Sequence, residues 1–352
     1  MNKRKKKRLK ADLGEKYTDW ELIELEKEIH KLYSDCQKEI QAEMDDFFAK
    51  FEPKNKKWLK KLKNGEITEA EYKRWLEGQI YQGKMWGERR ENLANALYNY
   101  NKIAYNMVNE VSPDVFLHNF NYMGYLLERD VNIDFSFQIY DSTSIKKLIF
   151  DDIEVIPYKK LDKAKDIYWN FQNIKREVAK AIIKGDSVNQ LAKILAKEVT
   201  NRNEKQMKKH ARTALISARN QGRLARMQEA EKMGIHVKKK WNAVLDERTR
   251  LAHAQLDGQI VDMDKPFRIG GQEIRFPGDP HAHPSLVYNC RCRLDARVTD
   301  YPSEFNLRRD NQTGELIENM TYSEWYYRKT GTPLPPFTGV RKKRRKWYYG
   351  RF

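Results

Sequence analysis

From Leu22 to Phe47 the apolar residues Leu22, Leu25, Ile29, Leu32, Cys36, Ile40, Met44 and Phe47 recur at steps of three and four, with polar residues between them. That spacing draws one continuous stripe along an α-helix. Cys36 lies on the stripe and is read as a small core residue. Thr18 and Glu21 stand three apart as a capping box that starts the helix, and Pro53 ends it or follows its end. A second box, Thr68 with Glu71, opens a helix carrying Trp75, Ile80, Trp86, Leu93, Leu97, Tyr100, Ile103 and Met107, which stops before Ser112-Pro113. Gly78, Gly83 and Gly87 weaken its first half. Two long helices with a short connection fold back as an antiparallel pair, each covering the other's stripe.

Beyond Pro113 the periodicity fades, and the F-S-F-Q-I-Y run reads as an extended crossing segment. Helical spacing returns near Asp166, ends at Gly185, and restarts with a Ser187 and Gln190 box before Leu191, Ile194 and Leu195. A further helix runs from about Asn203 to Met233 and is stopped by Gly234. Its Arg212, Arg219, Arg223 and Arg226 fall close to one face, while Ala211, Leu215, Ala218 and Gly222 occupy another. Such a face is a candidate for contact with a phosphate backbone. The commoner use is a solvated or ion-paired side of an amphipathic helix.

After Gly234 the period changes to two. Val237, Lys239, Trp241, Ala243 and Leu245 alternate as a strand with a buried side. Asp246 then caps a helix whose end is marked by Gly258, and Asp246, Arg250, His253 and Asp257, spaced four, three and four, share one face of it. Ile269 to Ile274 is a hairpin with Gly270-Gly271 at its turn, and Pro277-Gly278-Asp279-Pro280 is a rigid turn. In a last strand Cys290, Cys292, Leu294, Ala296 and Val298 lie on one side. The fold class is therefore α+β and predominantly helical: a long N-terminal helical hairpin, a helical bundle and a small C-terminal β-containing core. The predicted regions are a basic arm 1–17, antiparallel long helices 18–112, a mixed connecting region 113–165, a core 166–300 (helices 166–233, strand, helix, hairpin and strand 235–298) and a basic aromatic tail 301–352.

Composition sets the partner class. The chain of 352 residues has 68 Lys and Arg against 50 Asp and Glu, a formal charge of +18, which attracts it to phosphate or to acidic protein surfaces. Charged residues make up 34% and mean hydropathy is −0.88, which suits helices with wide polar faces. No apolar run approaches the roughly 20 residues that cross a bilayer, and the start M-N-K-R-K-K-K-R-L-K has no apolar stretch after its charges. A membrane partner is not expected. Three cysteines, two of them one residue apart, do not make a secreted disulfide framework. Near the C-terminus Arg341, Lys342, Lys343, Arg344, Arg345 and Lys346 adjoin Trp347, Tyr348 and Tyr349, a cluster suited to contacting phosphates and stacking on bases, or equally to a flexible solubilising tail.

Candidate chemistry concentrates between Trp241 and Cys292. Cys290 and Cys292 on one side, His253 from a helix, and a fourth ligand from Asp246, His281 or His283 would suit zinc; the competing reading is two small buried side chains. A cysteine nucleophile with His253 as base needs an exposed thiolate, which the alternation argues against. H-E-x-x-H, G-x-S-x-G and a phosphate loop are absent from the chain. No residue is expected to be catalytic, and no cofactor beyond this candidate zinc is implied.

In chain order, Trp241, Asp246, Arg248-Thr249-Arg250, His253, Asp257-Gly258, Pro277-Gly278-Asp279-Pro280 and Asn289-Cys290-Arg291-Cys292 resemble the motif set of the phage Mu F-like minor head proteins of tailed bacteriophages. The resemblance extends upstream through the helices and downstream to Asp310-Asn311-Gln312-Thr313-Gly314-Glu315. It implies a non-catalytic virion component, assembled in the host cytoplasm and held in few copies inside the capsid near the portal. The implied partners are the portal protein, a scaffolding or major capsid protein, and DNA during packaging or ejection. Members also occur fused to C-terminal toxin domains, including ADP-ribosyltransferases, and the residues after the core here are too few for one. The competing classes are a nucleic-acid-binding protein acting outside the virion and a zinc- or cysteine-dependent enzyme.

Overall fold

The computed structural model describes residues 12–81, 84–131, 161–184, 188–299, 307–309, 316–318, 327 and 331–333. The first helix, α1 (Leu13–Lys63), begins earlier than Thr18. Asp12 is its cap, the side chain accepting the Glu15 amide at 2.8 Å, while the Thr18 hydroxyl donates to the Gly14 carbonyl one turn back at 2.7 Å. Nor does Pro53 end it. A proline removes one amide donor and crowds the preceding turn, yet the buried stripe continues through Phe51 and Asn55. Phe51 and Trp58 on either side of Pro53 stack on Trp75, centroids 5.7 and 4.7 Å away. Packing on both flanks offsets the lost hydrogen bond.

Trp75 belongs to α2 (Glu69–Tyr81), which the Thr68 and Glu71 box opens as expected: each backbone amide meets the other's side-chain oxygen, at 2.8 and 3.2 Å. The next helix, α3 (Lys84–Val131), is a separate element and runs through Pro113. Val115, Phe116, Phe120, Met123 and Leu127 bury a stripe beyond the proline, so 114–131 is helix where fading periodicity predicted a connecting region. The F-S-F-Q-I-Y run and Ser187 lie outside the described residues. So do Arg341 to Lys346. After α4 (Lys163–Lys184), α5 (Val188–Lys232) is one helix where two were expected. It stops at Gly234, whose φ of 88° closes the end with the Ile235 amide on the Ala230 carbonyl at 3.0 Å.

The fold is predominantly helical α+β, and the chain forms two compact units. One comprises Leu22–Glu110 and Tyr158–Ala211; the other comprises Met1–Glu21, Val111–Pro157 and Arg212–Phe352. In the first, all-helical unit, Leu25, Ile29, Tyr33, Cys36, Ile40 and Met44 are buried. The Tyr33 hydroxyl bonds Asn101 on α3, and Arg89 pairs with Glu43 and Asp46, so α1 and α3 run antiparallel. An amide network continues inward. Asn101 donates to Asp166 at 2.9 Å and to Asn203 at 2.8 Å, and Asn203 donates to Asn170 at 2.9 Å.

The second unit contains a three-stranded antiparallel sheet in the order β2 (Ile260–Asp262), β1 (Val237–Asn242), β5 (Arg293–Val298). Trp241 stands opposite Leu294 and Lys239 opposite Val261. A hairpin pairs β3 (Phe267–Ile269) with β4 (Gln272–Ile274) across Gly270 and Gly271, both at positive φ. A further short pair joins β6 (Leu307–Arg309) to β7 (Leu316–Glu318). Trp241, Phe267, Phe276, Leu256, Leu286 and Leu294 form a core with Met123, Leu127 and Met227 from the long helices. The helices close tightly here. A Cβ at Gly222 would lie 2.3 Å from the Phe116 carbonyl oxygen, a contact that only glycine permits.

Candidate functional site

The predicted helix from Asp246 to Gly258 is shorter than its sequence spacing suggests: α6 spans only Leu251–Leu256. Asp246 instead opens a turn, its carboxylate accepting the Arg248 amide and its carbonyl the Thr249 amide, each at 3.1 Å. A short acidic side chain that bonds the backbone two residues on favours a turn over a helix. Asp246, Arg250, His253 and Asp257 are therefore not one helical stripe. Asp246 forms a two-pronged pair with Arg291, Nη2 to Oδ1 at 2.6 Å and Nη1 to Oδ2, which holds its carboxyl below the usual range even though burial raises it. Asp257 Oδ1 accepts the Ala243 amide at 2.7 Å. Of the four, Arg250 and His253 meet, Nη2 to Nε2 at 3.0 Å, while Arg250 Nη1 donates to the Tyr288 carbonyl at 2.8 Å.

Cys290 and Cys292 precede β5 rather than lying on it. The chain reaches them through α7 (Pro284–Val287) and Asn289, whose φ is 53°. Each cysteine is only 2% exposed, and both sulfurs face His253: Nδ1 lies 3.1 Å from Cys292 Sγ and 3.6 Å from Cys290 Sγ. Arginine has donors only, so Nε2 is the acceptor in its contact with Arg250, and Nδ1 is the nitrogen that carries a proton towards sulfur. Burial opposes ionising either thiol, yet Cys292 and His253 bring Cys290 well below the ordinary thiol range. Burial and the contact with Cys290 push Cys292 well above it. Trp241, fully buried, stands edge-on to the imidazole with centroids 5.7 Å apart.

Asp279 is gripped by Arg275 (Nε to Oδ2 3.0 Å, Nη2 to Oδ1 2.9 Å) and by the amides of Arg275 and His281, which makes Pro277 to Pro280 a braced turn. Gly278 lets that turn reach α5: its φ is 87°, and a Cβ there would meet Ser217 Cα at 3.2 Å. His283 caps α7 by accepting the Ser285 amide at 3.3 Å. Neither His281 nor His283 joins the sulfur cluster.

The predicted arginine face is corrected by its burial. Arg219, Arg223 and Arg226 are each at most 1% exposed. Arg223 pairs with Asp12 and with Asp295 at 3.2 Å. Arg226 pairs with Glu229 at 2.8 Å, its guanidinium 4.0 Å from the Phe120 ring centroid. Arg219 donates to the Cys292 carbonyl at 2.8 Å. They face core partners, and only Arg212 of the four is exposed. Sequence reasoning missed Asn220, which donates to the Pro277 and Cys292 carbonyls at 2.8 and 3.0 Å and accepts the Leu294 amide at 2.9 Å. Its place beside the small residues Ala218 and Gly222 was the available signal for a buried polar group.

The Asp246, Asp257 and Asp279 braces and the thiol pair lie within residues 172–295, and that span matches the family described as Phage Mu protein F like protein. The chain carries a Mu F-like region. Over 324 residues it is 25% identical to the Minor head protein GP7 of Bacillus phage SPP1, spanning 90% of this chain and 96% of that one. It is also 31% identical over 220 residues to the NAD(+)--arginine ADP-ribosyltransferase EFV of Enterococcus faecalis (strain ATCC 700802 / V583), spanning 61% of this chain but 44% of that protein. No solved structure matches. The Mu F-like region and the likeness to GP7 support a head-morphogenesis role. Among the described residues no helix is long and apolar enough to cross a membrane.

Proposed function

We propose that this protein is a non-catalytic minor head protein of a tailed bacteriophage, built in few copies into the capsid interior near the portal while the procapsid assembles in the host cytoplasm. The observation that carries this reading is the similarity to GP7 across nearly the whole of both chains. The site geometry supports it. Asp246, Asp257 and Asp279 are each engaged by an arginine or a backbone amide, and the thiols are enclosed, so the motif acts as bracing for a small scaffold rather than as machinery open to substrate. Its partners under this reading are the portal protein, a scaffolding or major capsid protein, and DNA met during packaging or ejection through the basic chain ends.

The transferase likeness does not change the proposal, because the chain spans less than half of that protein. The test is composition and contact: the protein is expected in purified particles at low copy and in complex with the portal protein when the two are co-expressed. Its absence from particles overturns the reading. Transfer of label from NAD+ to an arginine-bearing acceptor would overturn the non-catalytic part. A DNA-binding protein acting outside the virion would instead show retention on DNA that weakens steeply with salt, together with absence from particles.

A further inference from the structure

We propose that His253, Cys290 and Cys292 form a site for a zinc(II) ion that fastens α6 to the segment between Tyr288 and β5. This does not rest on the head-protein reading. His253 Nδ1 and the two sulfurs all lie within 4.8 Å of one another, with Nδ1 to sulfur separations of 3.1 and 3.6 Å. Zinc bonds of about 2.3 Å to sulfur and about 2.0 Å to nitrogen at tetrahedral angles place such ligands roughly 3.5 Å apart, so the three atoms already outline a coordination sphere. Two thiolates match the charge of the ion, and burial removes the water that would compete for it.

The surroundings agree. Trp241 walls the imidazole, and its indole also bears on the Cys292 sulfur. Arg219 and Asn220 hold the Cys292 carbonyl, so the backbone between the sulfurs is positioned from outside the sphere. Among the described residues no fourth His, Cys, Asp or Glu joins the group, so the three protein ligands hold the ion between them. Binding at Nδ1 moves the ring proton to Nε2, where it faces Arg250. The Arg250 contact with His253 is then given up, while its bond to the Tyr288 carbonyl remains available. The thiol protons leave to solvent as the zinc–sulfur bonds form. A disulfide is the poorer use of this pair, because neighbours this close in sequence meet with strained geometry.

The test uses full-length, untagged protein purified under reducing conditions, with Zn2+ alone titrated by calorimetry and metal content measured by mass spectrometry. About one equivalent is expected, lost in Cys290→Ser and Cys292→Ser, kept in Cys36→Ser, and weakened by about tenfold or more in His253→Ala. Should the serine variants fail to fold, Co2+ added to the wild-type chain decides: thiolate-to-cobalt charge-transfer absorption supports the site. Its absence, zinc uptake below about a tenth of an equivalent, or a Cys290–Cys292 disulfide in the reduced preparation overturns it.

Discussion

The two units weight their buried polar groups differently, although each holds both kinds: Glu177 pairs with Arg202 in one, and Asn220 is enclosed in the other. The all-helical unit uses neutral amides: Asn101, Asn170 and Asn203 pass hydrogen bonds among three helices, with Asp166 as the single acid in the chain of contacts. The mixed unit buries full charge, with Arg223 set between Asp12, Asp295 and the Leu294 carbonyl. Removing one member of an amide network leaves its buried neighbours short of a partner, at about 1–3 kcal/mol, whereas a buried ion that loses its partner costs more, about 3–5 kcal/mol. The mixed unit should therefore be the less forgiving of the two, and more specific in how its strands meet α5.

The strongest way to break that contrast is Arg223→Ala, expected to cost about 3–5 kcal/mol because Asp12 and Asp295 both lose a cation. Denaturant unfolding followed by hydrogen exchange in each unit reads it, and Arg223→Met should cost clearly less. Asn101→Ala in the other unit should cost about 1–3 kcal/mol; a loss equal to that of Arg223→Ala would remove the distinction.

Acid sharpens it further, with opposite signs. Burial raises Asp12 and Asp295, but the arginines outweigh it and hold both carboxyls below their ordinary value. Their contribution is present above about pH 4, the unfolded value, and is lost as pH falls through the depressed folded values. Asp166 is raised by burial against the bonds from Asn101 and Asn170, so its protonated form is favoured in the fold and its unit gains from protonation as pH falls through that raised value. Exchange protection around Arg223 should thus fall before that around Asn101 as pH drops below about 4, and loss in the other order would count against the charge accounting.

A smaller effect separates paired from unpaired cations within the mixed unit. Lys239 is buried on β1 with its Nζ 3.4 Å from the Arg275 carbonyl, and burial brings it from 10.5 down to about 8. The unfolded chain holds this proton more tightly, so stability should rise as pH climbs from about 8 towards 10. Lys239→Met should stabilise the protein by about 1–3 kcal/mol at neutral pH and abolish that rise.

The helical stripe from Leu25 to Phe47, the Thr68 box, the strand at Val237 and the Gly270-Gly271 hairpin were all legible because their patterns are local. Pro53 and Pro113 misled, since the packing that carries a helix across a proline comes from residues distant in sequence. The sequence places the cysteine pair near His253, and the structure sets both sulfurs 3.1 and 3.6 Å from its ring nitrogen, although the thiols precede β5 rather than lying on a strand. The arginines on α5 carried the least legible information. One charged stripe looks alike whether water, phosphate or Asp12 lies opposite, and Asp12 is the partner furthest along the chain.

Asn289 is the only residue other than glycine with positive φ among the described residues, and it sits immediately before Cys290. Most side chains resist that left-handed state, while asparagine tolerates it. That torsion works as a pivot pin for the residue that follows it: a valine at 289 would resist it and turn Cys290 off its bearing towards His253, while Cys292 keeps the hold of Arg219 and Asn220 on its carbonyl.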